Sequence, residues 1–231
     1  PNNRRLAIAA FSRNQIVIFD IDISSSSLGV RIALTGGVQL TSSVLNEPHG
    51  VDFIDDDTVV VANRGAGDVA IFRLPEGSAE VHSKDVIPFE IWSSEPSTLV
   101  NVPSTVSVTR RERGRSELLI SNHGTHTITR HVLDLDGGIV ENDVLVRKLL
   151  LFPDGAAMSA DRRWIAVSNH ATHSVLMYEN SAKLSVDTDP AGILRRVYAP
   201  HGLRFSADGQ HLLVADAEAP HIRVFACEQN N

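Results

Sequence analysis

The chain has few of the residues that would indicate a disulfide-stabilised, nucleic-acid-binding or membrane-spanning protein. Its 231 residues include one cysteine, Cys227, which excludes an internal disulfide and leaves the compartment open. A net charge of −7 argues against a surface for nucleic-acid phosphates. No run approaches the roughly 18 apolar residues of a membrane span, and no signal peptide is visible. We therefore expect a soluble domain that does not bind nucleic acid and does not span a membrane.

A repeat of about 50 residues runs through the chain. The segment P-H-G-V-D-F at 48–53 recurs as P-H-G-L-R-F at 200–205, and further copies begin at Pro103 and Pro153. Each copy contains short apolar runs bounded by Gly, Asp, Asn and Ser, which is typical of strands and turns. Since aromatic residues make up only 5% of the chain, we expect cores of Val, Ile, Leu and Ala. The repeat predicts an all-β fold, a β-propeller of four-stranded antiparallel blades.

The pattern predicts five blades with about 18 strands, called a to d from the innermost strand outwards. The approximate blade limits are residues 1–46, 47–101, 102–151, 152–198 and 199–231. The first blade lacks strand a, and the last lacks strand d. Strand d is the weakest part of the pattern and is placed at 86–91, 144–150 and 193–198. Because the chain starts and stops inside a repeat, we expect one domain that is a segment of a larger propeller, with open edges that allow oligomerisation.

The repeat resembles that of the YVTN/lactonase-like propellers, six- or seven-bladed proteins that include 6-phosphogluconolactonase-like members. The residues P-H-G-L-R-F-S-A-D-G-Q-H-L-L-V-A-D-A at 200–217 are similar to that family's Pro-Gly strand, Ser-Pro-Asp-Gly turn and Leu-Tyr-Val-Ala-Asn strand. Four of the five units carry the resemblance well, although Ala160 and Ala207 stand where the turn proline is expected. The resemblance implies a propeller. For function it implies sugar-lactone hydrolysis, a surface-layer role or an unassigned role.

Histidine and aspartate recur at the second position of the P-x-G strand starts. In an antiparallel blade, the start of strand a and the b–c turn lie on the same face, and strand a lines the central channel. This places His49, Ser104, Asp154 and His201 around the channel mouth. His49, Asp154 and His201 are candidate catalytic residues, as ligands of a divalent metal or as acid and base on a lactone. Alternatively, Pro ends the incoming loop, Gly permits close packing, and the residue between them only faces solvent.

A second group of polar residues lies in the b–c turns of the same face. The motif N-H-x-T-H occurs at 122–126 and again at 169–173. The candidate ligand-binding residues are Arg64, Asn122, His123, His126, Asn169, His170, His173 and His221. The alternative is a purely structural hairpin, in which Asn tolerates positive φ and Thr bonds the turn backbone.

Two functions remain open from the sequence. The first is a binding or interaction scaffold, whose histidine-rich face contacts a small ligand or a protein partner. The second is a lactonase-type hydrolase acting on a small sugar or carboxylic lactone, with or without a metal. Propellers support both functions, so the fold does not decide between them. A divalent metal at the channel mouth is the one cofactor that the sequence suggests. Calcium is disfavoured, because histidine replaces the oxygen donors it prefers.

Overall fold

The chain folds into a five-bladed β-propeller, which confirms the predicted fold class. The computed structural model describes residues 4–27, 29–76, 79–134, 136 and 138–227. Within those ranges, the residues outside the β-strands form turns, loops and three short 3-10 segments. None of the helical segments in the described part of the chain has the length and apolar composition needed to cross a bilayer.

One strand from the second repeat pairs with the sheet of the first blade. The first sheet, in spatial order, contains β1 (Arg5–Ala10), β2 (Gln15–Ser26), β3 (Gly29–Thr41) and β7 (His82–Asp85). The second sheet contains β4 (Pro48–Phe53), β5 (Thr58–Asn63), β6 (Asp68–Arg73) and β8 (Glu90–Trp92). The strand β7 therefore leaves the second repeat and pairs with β3 of the first, in parallel orientation.

The other three blades follow the repeat in chain order. The third sheet contains β9 (Pro103–Arg110), β10 (Ser116–Asn122), β11 (Thr127–Leu133) and β12 (Ile139–Val146). The fourth contains β13 (Pro153–Met158), β14 (Trp164–Asn169), β15 (Ser174–Glu179) and β16 (Gly192–Leu194). The fifth contains β17 (Pro200–Phe205), β18 (His211–Asp216) and β19 (His221–Ala226). All pairings within these three sheets are antiparallel.

The core lies between neighbouring blades and explains the continuous apolar runs of the second strands. In β5, Val60 and Ala62 pack towards the third blade, whereas Val59 and Val61 pack towards the first. Successive strand residues point to opposite faces, so a strand that is covered on both faces must be apolar at every position. The sequence T-V-V-V-A-N of β5 is accordingly buried along its whole length. The small β-branched residues keep the blades close together.

The outer strands differ most from the sequence-based prediction. Strand d of the third blade is Ile139–Val146 rather than 144–150, and that of the fourth is Gly192–Leu194 rather than 193–198. In the second blade, the predicted strand 86–91 is reduced to Glu90–Trp92. Residues 82–85 instead pair with the free edge of β3, where unpaired backbone groups accept another strand. Outer strands are largely exposed, so their apolar pattern is weak.

The first and last blades expose apolar side chains on their sheet faces. Leu6 and Ile8 of β1 are each 44% exposed, while Ile222 and Val224 of β19 are about 60% exposed. Elsewhere the equivalent faces are covered by a neighbouring blade. Association through the blade edges stays a prediction.

Candidate functional site

The second residues of β4, β9, β13 and β17 converge at the channel mouth. These residues are His49, Ser104, Asp154 and His201. Hydrogen bonds between blades position the backbone there. The Ser104 hydroxyl donates to the carbonyls of Pro153 (3.0 Å) and Asp154 (3.1 Å), and the Ser168 hydroxyl donates to the His201 carbonyl at 2.6 Å. The mouth is therefore built from strands about 50 residues apart in the chain.

Two glycines allow this convergence. A Cβ atom on Gly50 would lie 2.6 Å from the Cα of Thr105, and one on Gly155 would lie 2.5 Å from the carbonyl oxygen of His201. Both contacts are with backbone, which cannot move aside as a flexible side chain can. The proposed packing role of the glycine in P-x-G is thus visible at these two positions. At the same time, the residue before it faces the mouth cluster described next.

Asp154 is the centre of that cluster, and its side chain is only 2% exposed. His201 donates from Nδ1 to Asp154 Oδ2 at 2.6 Å. Asp154 Oδ1 lies 3.9 Å from His49 Nδ1 and 3.7 Å from His123 Nε2. His49 Nδ1 also donates a hydrogen bond to the carbonyl oxygen of Ser104 at 2.8 Å. We call Asp154, His49, His123 and His201 the mouth cluster.

The residues that directly follow strand b in the first, third and fourth blades lie in or beside the mouth cluster. His123 belongs to the cluster itself, and the ring of His170 lies 4.8 Å from that of His201, edge to face. Phe11, at the equivalent place in the first blade, packs edge-on against His49 with ring centroids 5.8 Å apart. Sequence reasoning missed Phe11, although its alignment with Arg64 in the repeat was the available signal.

The motif N-H-x-T-H uses its asparagines and its second histidines for the turn itself. Asn122 Oδ1 accepts from the backbone N–H of Asn101 (2.8 Å), and Asn169 Oδ1 accepts from Leu151 (2.6 Å). Both asparagines are buried, so neither offers a group to the mouth. The left-handed residues are His126 (φ 53°) and His173 (φ 51°), not the asparagines as the structural alternative supposed. The candidate site described below therefore excludes Asn122 and Asn169.

The remaining predicted ligand-binding histidines stand apart from the mouth cluster. His126 Nδ1 accepts from the backbone N–H of Phe152 at 3.1 Å, and its ring packs edge-on against the Phe152 ring. His173 and His221 are exposed. The histidine-rich face therefore divides into an inner group that meets Asp154 and an outer group that does not.

The electrostatics of the cluster separate one imidazole from the other two. Burial would raise the pKa of Asp154, but the hydrogen bond and charge of His201, with lesser effects of His49 and His123, hold it below its ordinary value. The hydrogen bond that His201 donates to Asp154 raises the pKa of His201. Burial lowers the pKa of His49, and it lowers that of His123 to about 4. Asp154 thus shifts His201 towards its charged form, whereas burial shifts His123 towards its neutral form.

Several buried polar atoms at the mouth have no hydrogen-bond partner among the described residues. They are Asp154 Oδ1, both ring nitrogens of His123, and His170 Nδ1. In addition, His49, Asp154 and His201 each offer a donor atom within 4.8 Å of the others, a span that one metal ion can bridge. The mouth can therefore accept a ligand, hold an ion or exchange protons.

Comparison with known proteins places the fold but no activity. No protein-family model matches the chain, and no curated protein matches it. Similar solved structures include a putative 6-phosphogluconolactonase from Bacteroides uniformis, with a TM-score of 0.63 and 13% identity over 99% of this chain. The chain spans 65% of the length of that protein.

Two further structures show how varied the similar proteins are. A putative 6-phosphogluconolactonase from Bacteroides fragilis has a TM-score of 0.54 and 13% identity, covering 93% of this chain and 73% of that one. The β-propeller domain of Cps50 (Swd1) from Myceliophteria thermophila has a TM-score of 0.59 and 14% identity, covering 98% and 68%. Identities this low support the fold alone. The neighbours thus include 6-phosphogluconolactonase-like proteins, while the YVTN/lactonase-like assignment stays a prediction.

Proposed function

We propose that the protein is a propeller-shaped binding module that takes up a small acidic ligand at its channel mouth. The observation that carries the proposal is the buried Asp154 with imidazoles on both carboxylate oxygens. Its Oδ1 atom and both nitrogens of His123 lack hydrogen-bond partners among the described residues. Buried polar groups are nearly always hydrogen-bonded in folded proteins, because each unpaired group costs about 1–3 kcal/mol. A cluster that leaves several unpaired is expected where a ligand completes it: a hydroxyl group of the ligand would donate to Asp154 Oδ1, and its acidic group would accept from an imidazole N–H.

The charges around the mouth favour an anion. Burial is the main reason for the low pKa values of His49 and His123, and the positive charge of Arg64 acts in the same direction. Arg64 therefore contributes positive charge at the mouth, and His201 adds more because Asp154 raises its pKa. One carboxylate stands against these cations in a protein of net charge −7. A local positive field in an acidic protein attracts small anions.

A phosphorylated sugar acid is the first ligand to test, since two of the structural neighbours are described as putative 6-phosphogluconolactonases. We expect 6-phosphogluconate to bind by calorimetry and to shift the ring resonances of His123, His170 and His201 in NMR spectra. Replacing Arg64 and His170 together by Ala should weaken binding by at least about 10-fold, since charged hydrogen bonds contribute about 1.5–3 kcal/mol each.

The matched control replaces His173 and His221 by Ala on the same face. Both side chains are exposed and stand outside the mouth cluster, so binding should be unchanged. Equal loss in the two double variants would place the ligand elsewhere on the face. If neither 6-phosphogluconate nor inorganic phosphate perturbs the mouth histidines, the proposal of an acidic ligand is wrong.

The hydrolase alternative is favoured by one observation, the separation of the pKa values of two mouth histidines. The pKa of His49 is lowered by burial and that of His201 is raised by its hydrogen bond with Asp154. A neutral base and a charged acid within one cluster suit hydrolysis of a lactone. In that scheme His49 takes a proton from water as its oxygen attacks the carbonyl carbon, and the ring C–O bond breaks. His201 then gives its proton to the departing ring oxygen.

This alternative is checked by the release of acid from 6-phosphogluconolactone in a pH-stat. We expect turnover above the spontaneous rate in the unmodified protein, lost in His201→Gln and kept in His173→Ala. If the rate equals that of a protein-free control, or survives in His201→Gln, the mouth is a binding site and not a catalytic one.

A further inference from the structure

The donor atoms at the mouth have the number, chemistry and spacing of a transition-metal site. His49, Asp154 and His201 supply two imidazoles and one carboxylate within 4.8 Å of one another. In a tetrahedral zinc site with bonds of about 2.05 Å, neighbouring ligand atoms lie about 3.4 Å apart. His201 Nδ1 lies 2.6 Å from Asp154 Oδ2, closer than that value, because a proton rather than an ion lies between the two atoms. Because all three ligand atoms lie within 4.8 Å of one another, a change of about 1.4 Å or less in each separation would accommodate the ion.

We propose that His49, Asp154 and His201 bind one Zn²⁺ ion, or a divalent cation of similar ligand preference, with a fourth position left open at the channel mouth. This inference rests on the proposed function, because the open position is where the acidic ligand would attach. Three protein ligands and one exchangeable position are the arrangement of catalytic and ligand-binding zinc sites, whereas structural sites are closed by four.

Burial of Asp154 is the second observation that points to an ion. Its side chain is only 2% exposed, and Oδ1 has no hydrogen-bond partner among the described residues. Oδ2 already accepts from His201 at 2.6 Å. A buried carboxylate with one unpaired oxygen facing imidazoles is poorly satisfied by protein groups alone. A cation would neutralise its charge and occupy the proton's place between Asp154 and His201, releasing that proton to solvent.

Hydrogen bonds to the backbone hold one of the imidazoles in the form a metal needs. His49 Nδ1 donates to the carbonyl of Ser104 at 2.8 Å, which leaves the lone pair on Nε2. A histidine that binds metal through one nitrogen commonly donates from the other to a carbonyl or carboxylate, which orients the ring. Ser104 is itself tied to the carbonyls of Pro153 and Asp154. The support of the site thus continues into the backbone of two blades.

The donor set selects among cations. Calcium and magnesium take oxygen ligands, and two of the three donors here are nitrogens. Imidazole with carboxylate suits zinc and its transition-metal neighbours. We therefore expect Zn²⁺ to bind and Mg²⁺ and Ca²⁺ not to compete. A bound ion would use both imidazoles, so it would exclude the metal-free acid–base chemistry of the hydrolase alternative.

The test titrates the chelator-treated full chain with Zn²⁺ by calorimetry, and with Co²⁺ by visible absorption. We expect one ion per chain and tetrahedral Co²⁺ absorption. His201→Gln and His49→Gln should each weaken Zn²⁺ binding by at least about 10-fold, since even outer partners of metal ligands contribute 10- to 100-fold. His173→Ala is the matched control, because this exposed histidine lies on the same face outside the cluster. It should bind Zn²⁺ as the unmodified protein does.

The outcomes separate the metal from the ligand. Absence of one-to-one Zn²⁺ binding, or binding that is equally weakened in His173→Ala, overturns the metal proposal. If the chelator-treated protein still binds 6-phosphogluconate through the mouth histidines, the proposed function stands without the metal. If Zn²⁺ binds but neither 6-phosphogluconate nor phosphate does, the metal proposal stands and the acidic-ligand proposal is wrong. Since Asp154 is buried, the two histidine variants keep the test independent of an Asp154 variant that fails to fold.

Discussion

Two buried carboxylates, at opposite ends of the blade strands, are neutralised in different ways. At the channel mouth, Asp154 faces the imidazoles of His49, His123 and His201. At the other end, Glu117 is the second residue of β10, has no exposed side-chain surface and pairs with guanidinium groups. The partners of Glu117 are Arg111 at 2.7 Å, Arg130 at 2.8 Å, and Arg162 in direct contact. We call these four residues the arginine cluster.

The two clusters differ in what their cations can do. Burial would raise the pKa of Glu117, but Arg130, Arg162 and Arg111 together keep it below its ordinary value. Guanidinium groups stay charged at any ordinary pH and bond carboxylates with fixed geometry. Imidazoles change charge near neutral pH and also bind metals. The comparison teaches that the arginine cluster joins blades through cations that keep their charge, whereas the cations of the mouth cluster can lose a proton or bind a metal.

The largest expected effect is loss of stability in Glu117→Gln. Removing the charge of one member leaves three guanidinium groups, 20–36% exposed, without their carboxylate. Breaking a buried ion pair in this way costs about 3 kcal/mol or more. Urea unfolding should show that decrease in the free energy of unfolding, while Glu112→Gln, an exposed carboxylate in the adjacent turn, should change it by less than about 0.5 kcal/mol. If Glu117→Gln and Glu112→Gln changed the free energy of unfolding equally, the structural role of the arginine cluster would be contradicted.

A smaller loss of stability is expected in Asp154→Asn. The imidazoles around it can give up their protons when the carboxylate is removed, so no permanent charge is left buried. We expect a decrease of about 1–2 kcal/mol in the free energy of unfolding, from the lost charged hydrogen bond with His201. Binding of Zn²⁺ and of 6-phosphogluconate should fall much more strongly than stability. A cost as large as that of Glu117→Gln would make the mouth a second structural ion pair.

The smallest expected effect concerns how the loss of stability in Asp154→Asn and in Glu117→Gln depends on pH in the metal-free protein. Asp154 raises the pKa of His201, so their pair stabilises the fold below about pH 6.5, and this contribution is lost as pH rises through the folded-state pKa of His201. The pKa of Asp154 is lowered, so its own titration falls at acid pH and does not enter this range.

The destabilisation by Asp154→Asn should therefore be smaller at about pH 9 than at about pH 6. The change should stay below about 1 kcal/mol, because the His201 side chain is 35% exposed and its interactions are screened. The effect of Glu117→Gln should be the same at both values, since its arginine partners do not titrate there. A pH-dependent effect of Glu117→Gln would contradict the distinction between the clusters.

Much of the fold was predictable because equivalent strands in successive repeats are buried in the same way and therefore carry the same apolar pattern. Strand b of the second, third and fourth blades is covered on both faces, so β5, β10 and β14 are rich in apolar residues. The outer strands were misplaced because exposed strands carry no such constraint. The pairing of β7 with β3 had no signal in the repeat, since residues 82–85 sit in a segment peculiar to the second blade.

The location of the candidate site could be predicted from the sequence, but the contacts between its side chains could not. Strand direction alone placed His49, Asp154 and His201 at one mouth. The same reasoning placed His123 further out, yet its Nε2 atom lies 3.7 Å from Asp154 Oδ1. The asparagines of N-H-x-T-H were treated as ligand candidates, but their buried amides bond the loops that lead into their own blades. Short-range sequence does not reveal which loop a side chain will reach.

By itself, the sequence determined the strand order of the last three blades, the common face of most histidines and the need for small residues beside the axis. These features follow from local alternation, turn chemistry and the spacing of the repeat. Only the tertiary structure decided which imidazoles meet Asp154, and which of them favours the charged form. Distances between blades and burial set hydrogen bonding and pKa, and both arise from strands that are far apart in the chain.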